Sequence, residues 1–195
     1  MENAFRAGLL AASVLMLSGC GSLLGKTPRE LITLTPSRMA PAGSVSAGNS
    51  RTAIAMSDFD APQMLDVTRV PVKVTDSKLQ YVKDAYWNEK PARLLRRLIA
   101  ETIRARTDRL VIDGDDPGAP ADVRVSGTLR EFGLDARTNE IVLVLDASKS
   151  GAGSAVTTRR FEARVPAPEA KPEPIGAALN DVANKVAAEV AAWVA

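Results

Sequence analysis

Few side chains in this sequence are equipped for chemistry. One thiol, Cys20, stands among the 195 residues, and there is no histidine. Without histidine, Ser-His and Cys-His nucleophilic sites and most zinc sites are excluded. Gly-x-Ser-x-Gly, Ser-x-x-Lys, P-loop and Gly-x-Gly-x-x-Gly patterns are missing too, so acyl transfer, phosphoryl transfer and dinucleotide binding lack their usual residues. Asp113-Gly114-Asp115-Asp116-Pro117-Gly118 comes nearest to a cation loop. A calcium loop of the helix–loop–helix type needs an oxygen donor at its fifth position and a bidentate Glu at its twelfth. Pro117 and Arg124 stand there instead, which makes the stretch a turn. Asp58 and Asp60 have nothing beside them in the sequence to mark them as acid and base. No catalytic residue and no metal ligand is assigned, and the chain is expected not to be an enzyme.

The thiol is different, because its position is informative. Leu17-Ser18-Gly19-Cys20 follows Arg6 and the apolar stretch Ala7 to Leu17. A basic start, a short apolar region and small residues before a processing site make a signal peptide over residues 1–19. A membrane-spanning helix takes roughly 20 apolar residues, so this stretch is too short to remain as one. The tetrapeptide resembles the lipobox, in which signal peptidase II cuts before an acylated cysteine. That resemblance implies diacylglycerol on the Cys20 sulfur and an N-acyl chain such as palmitate, with no other cofactor. One chain anchors only marginally, at about 0.8 kcal/mol per buried methylene, whereas two or three hold firmly. Gly21, rather than aspartate, follows the cysteine. Under the usual sorting rule this directs the lipoprotein to the outer membrane, facing the periplasm.

Residues 20–29 then read as a lipidated tether, and 30–195 as a single domain. Hydrophobic residues make up 46% and charged residues 25% of the chain, which is ordinary for a folded protein. A net charge of +2 is too small to imply nucleic acid as a partner. Strands are expected at Glu30–Thr35, Thr52–Met56, Leu65–Val74, Lys78–Lys83, Leu110–Ile112, Val123–Leu129, Ile141–Leu145 and Ala155–Val165, from β-branched content and alternation. Ile141 to Leu145 is apolar on both faces and so central. Residues 36–50 form a flexible insert rich in Pro, Ala, Gly and Ser, and 166–174 a Pro-rich exposed loop. Gly151-Ala152-Gly153 supplies a hairpin turn.

Two helices should lie against this sheet. The first starts near Pro91 and carries Leu94, Leu95, Leu98, Ile99, Thr102 and Ile103 on one stripe, with Arg93, Arg96, Arg97, Arg104 and Arg106 off it. The last carries Ile175, Leu179, Val182, Val186, Val190 and Val194, with Ala178, Ala183 and Ala187 beside them. Together these elements predict an α/β (α+β) two-layer sandwich. Its sheet is mixed and mainly antiparallel, with about six or seven strands, and both amphipathic helices lie on one face. The arginine-rich stretch from Arg93 to Arg109 reads either as a solvated helix face or as a contact for anionic headgroups or an acidic partner. Tyr81, Tyr86, Trp87 and Trp193 read as core packing, with a ligand groove as the sharper alternative.

The order of these features resembles a known family. The lipobox and tether are followed by Leu31-Ile32-Thr33-Leu34, a strand ending near Asp58, and Leu65-Asp66-Val67-Thr68-Arg69. Tyr81 and Trp87 precede the amphipathic helix, Glu131-Phe132 ends a strand, Ile141 to Leu145 follows, and Ala177-Ala178-Leu179 opens the last helix. This is similar to the ABC-type transport auxiliary lipoproteins, the group that contains the PqiC-like lipoproteins. The insert at 36–50 and the loop at 168–174 depart from that pattern. The resemblance implies a non-enzymatic component of lipid transport between the two bacterial membranes. Its partners would be an MCE-domain protein with its ABC permease and ATPase, and outer-membrane lipid, and the resemblance allows self-assembly into a homo-oligomeric ring. Trp87 and Arg93 are the residues expected near a partner-binding surface. A scaffold or assembly lipoprotein that binds an outer-membrane barrel or a cell-wall component is the alternative.

Overall fold

Proline has no amide proton to leave unpaired and a φ already close to helical, so it suits the first turn of a helix. Both helices begin on one: α1 (Pro91–Arg104) and α2 (Pro172–Val194). They belong to a computed structural model that describes residues 30–46, 53–107, 109–114, 121–151 and 155–195. The signal peptide, the tether with Cys20, the end of the 36–50 insert, Asp115–Gly118 and Ala152-Gly153 lie outside the described residues.

Seven strands form one sheet: β1 (Ile54–Asp60), β2 (Arg69–Lys73), β3 (Leu79–Tyr86), β4 (Val111–Asp113), β5 (Val123–Asp135), β6 (Glu140–Gly151) and β7 (Thr157–Pro166). The long ladders β5–β6 and β6–β7 are antiparallel. β5 lends its other edge to two parallel neighbours, first β1 along Val123–Thr128 and then β2 at Leu134 and Asp135. β4 extends the sheet beyond β1, and β3 extends it beyond β2. α1 packs on β1 and β4, α2 packs on β6 and β7, and the helices touch each other. The α+β two-layer architecture and the mixed, mainly antiparallel sheet are therefore as expected.

The core sits between the layers. Leu95, Ile99 and Ile103 of α1 and Ile175, Leu179, Val182, Val186 and Val190 of α2 are fully buried against Leu129, Phe132, Ile141, Leu143 and Leu145. Ala183, Ala187 and Ala191 are buried as well. Their small side chains suit a helix flanked by both a sheet and a second helix. Past the C-terminus of α1, Arg106 and Arg109 donate to carbonyls of α2 at Ala188 and Val194, and Lys149 donates to that of Trp193. Cations near a helix C-terminus complement its dipole. Part of the basic stretch is thus absorbed in holding α2.

Several boundaries differ from the expectations. Glu30–Thr35 is not a strand: only Ile32 makes an isolated parallel bridge, to Trp87. The segment is held by helix side chains instead. Asn180 Oδ1 accepts from the Thr35 amide and Asn184 Oδ1 from that of Ser37, while Asn184 Nδ2 donates to the Thr35 carbonyl. Glu101 of α1 accepts from the Ala40 amide, so part of the 36–50 insert is pinned to both helices. Leu65–Val74 is a strand only from Arg69, because Leu65 and Asp66 turn back to hydrogen-bond Pro62. The 166–174 loop is shorter than expected, since Pro172 already starts α2.

Arg96 is a further correction. Helical spacing puts it off the apolar stripe, yet it is only 7% exposed. Its guanidinium pairs with Asp113 at the end of β4, and its Nε lies 3.2 Å from Asp58 Oδ1 on β1. These pairs fasten α1 to the two parallel strands beneath it. An Arg96→Met substitution keeps the packed stem but leaves Asp113 half-buried without its cation. Removing one partner of a buried pair costs about 3–5 kcal/mol, and water around exposed Asp58 softens this to about 2 kcal/mol. A fall of that size in stability from urea denaturation is the expected result.

Candidate functional site

Residues paired across antiparallel strands share a face of the sheet. Leu129↔Leu145, Phe132↔Leu143 and Leu134↔Ile141 look toward the helices, so Thr128↔Asp146, Glu131↔Val144 and Gly133↔Val142 look away from them. On β7, Arg160, Glu162 and Arg164 stand opposite Asp146, Val144 and Val142 and share that outer face. It is strongly charged and internally paired. Asp146 is bracketed by Arg160 at 2.7 Å and Arg130 at 2.8 Å. Arg164 reaches Glu162 at 2.6 Å and Glu140 at 3.3 Å. Arg137 pairs with Asp135 at 2.6 Å and also with Asp76, and Lys73 lies 3.1 Å from Glu131.

These pairs move the carboxyl groups. The Arg137 hydrogen bond outweighs the effect of burial and lowers Asp135 from 3.8 to about 2. Asp146 falls from 3.8 to about 2, chiefly through its hydrogen bond from Arg160 and then that from Arg130. A carboxyl whose folded pKa is depressed stabilises the fold above its unfolded pKa and loses that contribution as pH falls toward the folded value. The domain should therefore hold its thermal midpoint down to about pH 4 and lose stability steadily from there toward about pH 2. An Asp135→Asn, Asp146→Asn double variant should start less stable at neutral pH and show a flatter acid limb. Midpoints measured across this range check both signs.

On this face, where β2 and β3 extend the sheet beyond β5, lies an open cleft of about 370 Å3. Met64, Pro71, Leu79 and Val142 supply its apolar lining, and Lys73, Asp76, Lys78, Arg130, Glu131 and Asp135 are the charged residues around it. Gly133 makes the cleft possible. A Cβ at that position would overlap the carbonyl oxygen of Pro71, so only glycine lets β2 lie this close to β5. Among the described residues there is no cluster of His, Cys, Asp and Glu arranged to hold a metal ion. A cleft with an apolar floor is suited to binding an apolar group.

The residues singled out from sequence do not meet here. Cys20 lies outside the described residues. Trp87 is a correction: it is 2% exposed and packs on Phe132, with ring centroids 5.0 Å apart, so it offers no surface to a partner. It follows β3 directly and is drawn under the sheet by hydrogen bonds from its own amide to Thr68 and from Asn88 to Ile32. Arg93 does face solvent, on α1, paired with Glu89 at 3.1 Å. The cleft residues were missed. Their signals were a glycine inside a strand, Gly133, and valines on the face of β6 that the helices do not cover.

A family model for the ABC-type transport auxiliary lipoprotein component matches residues 33–191. The chain belongs to that family. The match takes in all seven strands and both helices except the last residues of α2. A Xanthomonas campestris protein assigned to family DUF330 superposes with a TM-score of 0.64 at 17% identity, over 85% of this chain and 91% of that one. A second crystal structure, of an uncharacterized protein, also gives 0.64 at 11% identity, over 85% of this chain and 100% of the other. At such identities the likeness is one of fold. No curated protein sequence matches the chain. The family description makes the protein a lipoprotein component auxiliary to ABC-type transport. No helix among the described residues is long and apolar enough to cross a membrane.

Proposed function

We propose that this protein is a lipid-anchored periplasmic component of an ABC/MCE-type lipid-transport system, held at the outer membrane by Cys20 and docking the transport complex there. The observation that carries this reading is the family match over residues 33–191. The sequence supports it in two ways. Its lipobox provides the anchor, and its lack of a P-loop leaves ATP chemistry to a separate subunit. Arg93 is the residue proposed to face a partner, since its side chain is exposed at the start of α1. Partners of this kind include an MCE-domain protein, its permease and ATPase, and further copies of the chain.

The test is capture of the full-length acylated protein from envelope membranes beside a Cys20→Ser control. Recovery of an MCE-domain protein that is lost in the control supports the proposal. An outer-membrane barrel or cell-wall protein without any MCE partner overturns it in favour of a scaffold. Arg93→Ala should weaken that capture while leaving the thermal midpoint unchanged. Undiminished capture would remove Arg93 from the docking surface.

A further inference from the structure

We propose that the cleft beside the β2–β3 turn takes one acyl chain of a membrane glycerophospholipid, with the lipid phosphate at Lys78. The assignment rests on the reading of Cys20 as a membrane anchor. Its volume, about 370 Å3, falls within the range of about 300–1,000 Å3 usual for ligand sites. Three features select the occupant: the floor, the state of the charges, and the end of the domain at which the cleft opens.

The floor is apolar where a solvated sheet face would be polar. Val142 points away from both helices and is nevertheless 2% exposed, and it lines the cleft with Met64, Pro71 and Leu79. The charges of the walls are already matched: Lys73 with Glu131, Asp135 and Asp76 with Arg137, and Arg130 with Asp146. A polar ligand would compete with these pairs for donors and acceptors, whereas an alkyl chain leaves them undisturbed. Lys78 differs, since its ammonium has no ion pair among the described residues. It stands at the rim, in the turn between β2 and β3, as a point charge suited to one phosphate.

Position completes the argument. Lys73, Leu79, Asp135, Glu140 and Pro166 lie in register at one end of the sheet, and Asp76, Ser77 and Lys78 line the cleft there. α2 starts at this same end, and the described chain begins beside it, with Glu30 and Leu31 against Pro172 and Glu173. Nine residues lie between Cys20 and Glu30, a reach of about 35 Å when fully extended. An anchor at Cys20 therefore holds the cleft end of the domain within about 35 Å of the bilayer.

Photolabelling tests the assignment directly. The full-length acylated protein is placed in phosphatidylethanolamine–phosphatidylglycerol vesicles carrying a trace of phosphatidylethanolamine with a diazirine at the end of one acyl chain. After illumination, labelled peptides are mapped by mass spectrometry. Label is expected on the peptides containing Met64, Leu79 and Val142. Thr75→Trp fills the mouth from an exposed turn and should lower that label about fivefold, and Lys78→Glu about threefold, with the fold undisturbed. Protein that stays on the vesicles but is labelled only over residues 20–40 overturns the cleft and leaves the anchor standing. Cleft label unchanged by Thr75→Trp also overturns it. Protein recovered unlabelled in the supernatant overturns anchor and cleft together.

Discussion

Trp87→Ala should destabilise the domain by about 3–5 kcal/mol, the usual cost of emptying a large aromatic site in a core. With total stabilities of about 5–15 kcal/mol for a domain, that is enough to leave much of the protein unfolded at growth temperature. The reason is position. Trp87 is among the largest fully buried side chains, stacked on Phe132 where β3 gives way to α1. Trp87→Phe makes the informative comparison. The indole Nε1 is buried with no hydrogen-bond partner among the described residues, and an unsatisfied buried donor costs about 1–3 kcal/mol. Phenylalanine removes that donor while giving up part of the packing, so Trp87→Phe should lie within about 1.5 kcal/mol of the native protein. Chemical denaturation orders the three proteins. If Trp87→Phe lost partner capture at unchanged stability, the indole would have a binding role after all.

Trp87 also shows which parts of this fold could be read from residue order. Its burial could not, because the stack depends on Phe132, far along the chain. The stripes of α1 and α2 and the alternation of β5, β6 and β7 are local patterns, and they carried the architecture. Arg96 was misplaced for the same reason as Trp87: helical spacing puts it off the stripe, and only β1 and β4 together supply Asp58 and Asp113. Glu30–Thr35 has the composition of a strand, but its amides meet the side chains of Asn180 and Asn184, which no strand pattern encodes. Pro172 reads as loop because proline punctuates loops, although it equally begins helices. The cleft had two local signs, Gly133 within a strand and the two-faced apolar run of β6. Neither reveals that β2, the β2–β3 turn and Met64 come together on that face.

Cys20→Ser should move the protein from tightly membrane-bound to releasable by an alkaline wash. Two or three acyl chains, each contributing about 0.8 kcal/mol per buried methylene, make detachment negligible, while a chain bearing none has no such anchor. The variant also loses the processing signal, so it keeps residues 1–19 and with them the apolar stretch from Ala7 to Leu17. That stretch is shorter than the roughly 20 residues a spanning helix needs, and it should slow release without preventing it. Intact-mass measurement separates the species. The native protein should begin at Cys20 and carry the mass of its acyl chains, whereas the variant should carry none and remain larger at its N-terminus. A native protein with residues 1–19 still attached and no lipid mass would sink the anchor reading. It would also weaken the reason for the cleft to face a bilayer, because no acyl chain would then tie that end of the sheet to a membrane.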